Sequence, residues 1–371
     1  MAVYLDHNAT SPSRPGVADA MAAALAIGGN PSSVHGFGRR ARRAVEDARD
    51  EVARLINAKP ETIVFTGSGS EANALAVKGV SCERIIVSAI EHDSVLHNAD
   101  AELLPVTCDG VVDLAALEAM LGADKRRTLV SVMQANNETG VIQPTAEAAR
   151  IAHRFEALFH CDAVQSAGKI AVDVAALDCD LLSISAHKLG GPQGVGALYV
   201  APHILLDAMI KGGGQERRRR AGTENVSGIA GFGFAAKLAR ENPTDEARMS
   251  ALRHRLEQRI KRGAPEAIVF GAAVPRLANT SLIAMPGVSS EIQVMAFDLA
   301  GIAVSAGAAC SSGKVEPSHV LLAMGADEKL AHSAVRVSLG WTNREEDVDR
   351  FVETWSGLYA MRRKPAAAPV A

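Results

Sequence analysis

The residues best suited to chemistry lie within residues 181–200, LLSISAHKLGGPQGVGALYV. A serine, a histidine and a lysine (Ser185, His187 and Lys188) follow an apolar run that predicts a short buried strand. The glycines and the proline after them disfavour a regular helix and let other backbone approach the lysine closely. A lysine amine placed there can bond covalently to a carbonyl compound. On position alone a solvated loop lysine is the commoner interpretation, so other parts of the chain must decide.

Polar groups also follow three other predicted strands. They lie in the segments EHD at 91–93, NNETG at 136–140 and DAVQS at 162–166. Each segment alone also fits a helix cap or an ordinary loop. If the strands are parallel, however, their carboxyl ends meet at one edge of the sheet, which is where such sheets bind ligands. An acid, an amide, an imidazole and an amine would then share one pocket.

Residues 66–73, TGSGSEAN, join a predicted strand to a predicted helix. Small residues at a helix start leave backbone N–H groups free to face an anion. The segment matches neither a dinucleotide fingerprint nor a P-loop, and a tight turn capped by a serine explains it equally well. With the lysine, the acid and the imidazole, a phosphate anchor would complete the set of groups that binds pyridoxal phosphate.

Two residues later in the chain are also candidates for a role in the chemistry. Cys310 lies in a run of small residues, VSAGAACSSG at 304–313, which predicts a flexible loop presenting one thiol. Such a thiol is a candidate nucleophile, the alternative being a buried cysteine that acts as a small apolar residue. Arg336 lies inside an apolar strand and needs an anionic partner, which a substrate carboxylate or an internal ion pair would supply.

Alternating strands and helices must position these groups. Strands are predicted at 63–65, 84–88, 103–106, 128–133, 158–161, 181–184 and 197–200, and helices between them include one at 94–101. This alternation is typical of a mostly parallel sheet covered by helices on both faces. A later helix is predicted at 244–262 with Thr244 as its N-cap. We expect a large domain at 11–245, a smaller α+β domain from 1–10 and 246–363, and a disordered tail at 364–371.

The composition favours a soluble protein with a small-molecule substrate. The chain has 371 residues, 48% of them hydrophobic, and a net charge of −3 gives no reason to expect nucleic acid or an anionic membrane as a partner. The N-terminus lacks the pattern of a signal peptide, and no apolar run is long enough to cross a bilayer. The five cysteines are scattered without a CxxC pair, so we expect no disulfide framework, no zinc site and a cytoplasmic location.

The chain resembles the cysteine desulfurases, which are fold-type I pyridoxal phosphate enzymes of the class V aminotransferase group. The resemblance extends from Tyr4 to about Asp349. Its motifs are YLDHNAT, GNPSSVH, VFTGSGSEANALAVKG, EHDSV, NNETGVIQP, DAVQSAGK, SAHKLGGPQGVGALYV, GGGQE, AGTEN, SAGAACSSG, EPSHVLLAMG and VRVSLG. The loop around Cys310 resembles the longer-loop subgroup that serves iron–sulfur or nitrogenase-related assembly. The implied fold is α/β, with a mostly parallel seven-stranded sheet in the large domain.

The resemblance also implies roles for individual residues. Lys188 would form the Schiff base and move the proton at the substrate Cα, and Cys310 would take the sulfur from L-cysteine as a persulfide, leaving L-alanine. Cys310 could also serve as a transient iron–sulfur cluster ligand, and no other metal ligand is expected.

The cofactor pyridoxal 5'-phosphate would contact Asp162 at its pyridine nitrogen, Gln165 at its phenolic oxygen, His92 on its ring face, and Gly69, Ser70, Ser185 and His187 at its phosphate. Asn137 would contact cofactor and substrate. Asn30, Asn137 and Arg336 would bind the substrate carboxylate. Thr223 would reach the phosphate of a neighbouring subunit, so a homodimer is implied, with an iron–sulfur scaffold as sulfur acceptor.

The sequence departs from the family pattern at Arg218. The family pattern predicts a glycine there, and the substitution creates four consecutive arginines, Arg217–Arg220. The short Ala/Pro tail also lacks the extension with which housekeeping members dock a scaffold protein, which leaves the acceptor open. Alternative functions are a selenocysteine lyase or a small-amino-acid aminotransferase of the same fold, a nucleotide-binding module using residues 66–73, and a non-catalytic scaffold.

Overall fold

A computed structural model describes residues 2–98, 100–241, 245–307 and 316–363, with the side chains of the last two residues left out. Its strands are β1 Val3–Tyr4, β2 Ile63–Thr66, β3 Arg84–Ser88, β4 Glu102–Leu104, β5 Thr128–Ser131, β6 Leu158–Asp162, β7 Leu181–Ser185, β8 Gly196–Val200, β9 Ile268–Val269, β10 Thr280–Ala284, β11 Ile302–Ala303, β12 Ser305–Ala306 and β13 Ala334–Ser338. Its helices are α1 Val17–Leu25, α2 Gly36–Leu55, α3 Gly69–Gly79, α4 Asp93–Leu96, α5 Leu114–Ala123, α6 Thr145–Arg154, α7 Val226–Glu241, α8 Glu246–Gly263, α9 Ser290–Leu299, α10 His319–Ala323, α11 Glu328–Ala331 and α12 Glu345–Arg363.

Seven strands form the central sheet in the order β2-β8-β7-β6-β5-β3-β4. The pairs β3–β4, β3–β5, β5–β6 and β6–β7 are parallel, and only β8 runs against its neighbours β2 and β7. The predicted α/β architecture with a mostly parallel seven-stranded sheet is therefore confirmed. Six strands end at the same edge, so the loops that follow them lie side by side.

The central strands are apolar because both faces of the sheet are covered. Every residue of β2, β5, β7 and β8 is buried, as expected when helices pack on both sides. On α2, Ala41, Val45, Ala48 and Val52 form the buried stripe that the sequence spacing predicts. One large hydrophobic cluster joins this helix, the sheet and α7. The sheet is thus a rigid base for the loops at its edge.

A smaller antiparallel sheet follows in the order β12-β13-β10-β9, and the short β1 pairs in parallel with β11. A second hydrophobic cluster lies here, and it joins Val3 and Leu5 to residues of α8, α9 and α12. The first residues of the chain therefore pack against residues almost 300 positions later. The division into domains at residues 10 and 245 stays a prediction.

Some local predictions were wrong. The helix predicted at 94–101 is only one turn, Asp93–Leu96, because His97 and Asn98 turn the chain toward β4. The N-cap of α8 is Asp245, whose carboxylate accepts from Arg248 N, and not Thr244. Strand β1 was not among the predicted strands, since its two residues form a strand only by pairing with the distant β11. Thr244 itself, Cys310 and the tail at 364–371 lie outside the described residues.

Candidate active site

A cleft with an empty volume of about 660 Å³ lies at the edge where the parallel strands end. Loops after β2, β3, β5, β6 and β7 contribute to its walls. The lining residues are Ser68, Gly69, Ser70, Asn73, His92, Ser94, Met133, Asn137, Asp162, Val164, Gln165, Ser185, His187 and Lys188. The structure therefore brings together nine of the residues that the sequence analysis nominated.

Lys188 ends a single 3₁₀ turn, Ala186–Lys188, directly after β7. Gly191 N closes this turn onto Ala186 O, and a Cβ at position 191 would lie 2.9 Å from that oxygen. The lysine Nζ donates to Asn8 O at 2.6 Å and to Ala9 O at 2.9 Å. Burial, together with the nearby Arg336 guanidinium, lowers the pKa of Lys188 to about 8. A neutral amine is therefore accessible near physiological pH, as a nucleophile or a base requires.

Asp162 ends β6 and is 4% exposed. One carboxylate oxygen accepts from Asn73 Nδ2 at 2.7 Å, and the other accepts from Val164 N at 2.8 Å. These donors hold the carboxylate in one orientation, facing the cleft. An anionic oxygen fixed in this way can pair with a protonated ring nitrogen of a bound molecule.

A second buried carboxyl, Glu91, stands near Asp162. Burial, together with the charge of Asp162, raises the pKa of Glu91 to about 8. Its Oε1 accepts from Ser88 Oγ at 2.7 Å and from Met133 N at 2.5 Å, while Oε2 has no hydrogen-bond partner. Glu91 is therefore mainly protonated at neutral pH. Of the two side chains, Asp162 is the one that lines the cleft.

The N-terminus of α3 forms one wall of the cleft. Ser68 caps the helix by accepting from Glu71 N at 3.0 Å, so the predicted serine-capped turn is present. Gly69 follows it, and a Cβ there would lie 2.9 Å from Val164 Cγ2 and 3.1 Å from Ser185 Cβ. Ser185 Oγ is buried without any hydrogen-bond partner. Free helix N–H groups beside an unpartnered hydroxyl form a cradle for an anion such as phosphate.

The imidazoles of the cleft are held by neighbouring hydroxyls. His187 Nδ1 lies 3.1 Å from Thr10 Oγ1, and burial lowers the pKa of His187 to about 4, so its ring is neutral at pH 7. His92 caps α4, and its Nδ1 accepts from Ser94 N at 3.0 Å. Because Nδ1 is the acceptor, the proton of a neutral His92 ring is on Nε2. The exposed ring of His92 borders the cleft.

Arg336 takes the internal ion pair that we considered as its alternative partner. Its Nη2 lies 2.8 Å from Asp6 Oδ1, and its Nη1 donates to Asn137 O at 3.1 Å. Its Nε is buried without a partner. Arg336 does not line the cleft, but its contact with Asn137 places it next to a residue that does.

Two nominated residues lie away from this cleft, and a third is not among the described residues. Asn30 is exposed, and its side chain accepts from Ser32 N at 2.8 Å. Thr223 lines a separate cleft with Gly194 and Arg220. Cys310 lies outside the described residues. Their assigned roles in a neighbouring subunit, in substrate binding or in sulfur transfer stay predictions.

Two residues that support the site were not predicted from the sequence. Asn73 belongs to the segment TGSGSEAN but was given no role, although its amide holds Asp162. Asn8 supplies the backbone oxygen nearest to Lys188, and its side chain donates to Thr280 Oγ1 at 2.9 Å. The motif YLDHNAT contains Asn8, so its resemblance to the family was the only signal.

The structure also limits other kinds of site. Within the described ranges, no group of three or more His, Cys, Asp or Glu side chains could hold a metal ion. In the same part of the chain no helix is both long and apolar enough to cross a bilayer.

Known proteins resemble this chain over nearly its whole length. The model of the family "Aminotransferase class-V" matches residues 3–351. A cysteine desulfurase of Cereibacter sphaeroides is 44% identical over 368 residues, covering 95% of this chain and 94% of the relative. A cysteine desulfurase IscS of Dictyoglomus turgidum is 42% identical, covering 94% and 92%. A NifS-like protein from Rickettsia africae has a similar solved structure, with a TM-score of 0.91 at 37% identity, covering 97% of this chain and 100% of that one.

Proposed function

This chain belongs to the class-V aminotransferase family, and from that premise we propose that it is a cysteine desulfurase dependent on pyridoxal 5'-phosphate. The reaction converts L-cysteine to L-alanine and leaves the sulfur as a persulfide on Cys310. The observation that carries the proposal is one cleft lined by a half-buried lysine amine, a fixed carboxylate and an anion cradle. Relatives named cysteine desulfurase support the choice of substrate.

The cleft fits the proposed cofactor. Ser185 Oγ is a buried polar atom that lacks a partner, and Gly69 leaves beside it the space that a Cβ would fill. A phosphate group held there by Ser70 and the α3 N-terminus would satisfy this hydroxyl. Asp162 would hold the protonated pyridine nitrogen, and His92 would cover the ring. When bound, pyridoxal phosphate supplies an electron sink for negative charge at the substrate Cα.

Lys188 is the group that would move the proton of the substrate Cα. Its lowered pKa, about 8, leaves a usable neutral fraction at neutral pH. The carbonyl oxygens of Asn8 and Ala9 hold its Nζ when it is free, and therefore keep it at the edge of the cleft. A lysine that is fixed in this way needs little reorganisation before it reacts.

Arg336 and Asn137 would hold the substrate carboxylate, with Asn30 as the third proposed contact. Arg336 is 6% exposed, and its Nε is free of any partner. A carboxylate can accept two parallel hydrogen bonds from the guanidinium edge that contains Nε. The bond from Nη1 to Asn137 O would keep the guanidinium oriented during binding.

Cys310 would take the sulfur. Its thiolate attacks the sulfur of the bound cysteine, an S–S bond forms, and the C–S bond breaks with its electron pair returning to the carbon skeleton. Protonation of that skeleton gives alanine, so one thiol and one cysteine become one persulfide and one alanine. The persulfide would then pass its outer sulfur to an acceptor such as an iron–sulfur scaffold protein. Thr223 would complete the phosphate site of a second copy, in a homodimer.

The test is to add L-cysteine to the purified protein and to follow alanine, sulfide and the mass of the Cys310 peptide. We expect alanine in every assay, sulfide when a thiol reductant is present, and one added sulfur atom on Cys310 when it is absent. Cys310→Ala should keep the visible absorbance of the cofactor and lose sulfide release. Cys108→Ala, which changes an exposed free cysteine, is the matched control and should keep both.

Two results would overturn the proposal. Alanine production without added sulfur on Cys310 would remove the nucleophile and favour an aminotransferase or lyase of the same fold. Purified protein that lacks visible absorbance and does not gain it with pyridoxal phosphate would remove the cofactor itself.

A further inference from the structure

Lys169 is a lysine beside the cleft that the proposed reaction does not use. It follows the segment after β6, and its Nζ donates to Asn8 Oδ1 at 2.8 Å and to Gln165 Oε1 at 2.9 Å. Both acceptors are neutral amides. Among the described residues no carboxylate lies within salt-bridge distance of this nitrogen. Placing an amine in such surroundings is unfavourable unless its hydrogen bonds do something specific.

The charges around Lys169 make its position more unusual. Lys188 and Arg336 are the charged groups that act on it, and both are cations. Burial lowers the pKa of Lys169 well below its usual range, and these two cations lower it further. The nearby His7 ring is neutral, since burial and Lys169 lower its pKa to about 4. An apolar side chain of similar length would fill the same space without this electrostatic penalty.

The hydrogen bonds of Lys169 fix the orientation of the Gln165 amide. Lys169 donates to the oxygen of that amide, so the Nε2 group must point the other way. One N–H of Gln165 Nε2 donates to Asn8 O at 3.0 Å. The second N–H has no protein acceptor within the described ranges, and Gln165 lines the cleft. Gln165 therefore presents a donor, and not an acceptor, to a bound molecule.

The same lysine also steadies the residue that holds Lys188. Asn8 Oδ1 accepts from Lys169 and from Asn279 Nδ2 at 3.1 Å, while the backbone oxygen of Asn8 accepts from Lys188 Nζ. Lys169 and Lys188 are thus bound to the side chain and the backbone of a single residue. Loss of Lys169 would loosen both the Gln165 amide and this backbone oxygen.

We propose that Lys169 is a positioning residue with two effects. It orients the Gln165 amide so that an N–H group points toward the phenolic oxygen of the cofactor, and it holds Asn8 next to Lys188. The inference rests on the proposed function, because it assumes that the cofactor binds in this cleft. A donor at the phenolic oxygen would weaken the hydrogen bond between that oxygen and the proton on Lys188 Nζ when this nitrogen is joined to the cofactor. The Gln165 donor, held in place by Lys169, would therefore make Lys188 Nζ easier to deprotonate.

The test is a pH titration of the visible absorbance of the loaded protein. Lys169→Met keeps the length of the side chain and removes the donors, so the midpoint should rise by about one pH unit. kcat should fall about tenfold with little change in KM for cysteine, since positioning acts on the reacting groups and not on substrate binding. Lys78→Met, at an exposed lysine of α3, is the matched control and should change neither value.

Further variants test the proposal if Lys169→Met folds poorly. Lys169→Arg keeps the donors and should stay within a few tenths of a pH unit of the parent. In a Gln165→Met background, Lys169→Met should add little further shift, because its effect acts mainly through that amide. Melting temperatures of the cofactor-free proteins report on folding separately.

The outcomes separate the two proposals. An unchanged midpoint in folded Lys169→Met, or equal shifts with and without Gln165, overturns the positioning role and leaves the proposed function standing. A parent protein with no visible absorbance in the presence of pyridoxal phosphate overturns both.

Discussion

Replacing Arg218 by glycine should stabilise this protein. Three consecutive non-glycine residues, Glu216, Arg217 and Arg218, have positive φ angles of 44°, 55° and 65°. Arg218 occupies the position where the family pattern predicts glycine. Glu216 cannot turn away, because its carboxylate accepts from Arg49 at 2.7 and 2.9 Å inside the protein. We therefore expect the backbone at position 218 to keep its left-handed conformation when glycine replaces arginine.

The size of the effect follows from two opposing terms. A side chain with a Cβ costs about 1–2 kcal/mol in the left-handed region, and glycine removes that cost. Glycine also raises the conformational entropy of the unfolded chain, which costs about 0.4–1 kcal/mol. The Arg218 side chain is exposed and makes no hydrogen bond or ion pair within the described ranges, so nothing else is lost. The net gain is about 1 kcal/mol, or about 2 °C in the melting temperature.

Urea unfolding at a fixed protein concentration measures this gain, and two variants act as controls. Arg219 has a φ of −88°, so Arg219→Gly relieves no strain and should destabilise the protein. Arg218→Ala removes the charge but keeps the Cβ, and should leave the stability almost unchanged. The reasoning is refuted if Arg218→Gly loses stability as Arg219→Gly does. An equal gain in Arg218→Ala would show that charge repulsion, and not backbone strain, is relieved.

Two further predictions concern the cleft and the sheet. Gly69→Ala should weaken pyridoxal phosphate binding more than tenfold in equilibrium dialysis, because the new Cβ would lie 2.9 Å from Val164 Cγ2 and fill the anion cradle. Gly36→Ala is the control and should not weaken binding, since the nearest atom to its new Cβ would be 3.8 Å away. Equal affinities of the two variants would contradict the assigned phosphate site. His160 lies between Ser131 and Ser183 at 2.8 and 3.0 Å, and burial lowers its pKa to about 3. Below about pH 6.5 the His160 ring takes up a second proton in the unfolded chain but not in the folded protein. His160 therefore lowers the free energy of unfolding by about 1.4 kcal/mol per pH unit as the pH falls from 6.5 toward 3. His160→Gln should therefore show a flatter dependence of the unfolding free energy between pH 6.5 and 5, and an unchanged slope would contradict a neutral buried ring.

Much of the site could be predicted from the sequence because its geometry follows from strand direction. Parallel strands end at a common edge, so polar residues after separate strands meet there without any knowledge of packing. Asp162, His92 and Lys188 were found in this way, and the structure places all three around one cleft. Local signals were less reliable at the ends of elements, as the shortened helix α4 and the Asp245 cap show.

Only the tertiary structure revealed the partners of those residues. Asn8 and Lys188 are 180 positions apart, and Asp6 and Arg336 are 330 apart, yet both pairs are in contact. Sequence patterns fix local conformation and the edge at which side chains emerge, because both depend on near neighbours along the chain. Contacts that exist only after the chain has folded decide which distant segment packs against Lys188. The same contacts decide how far burial lowers the pKa of that lysine.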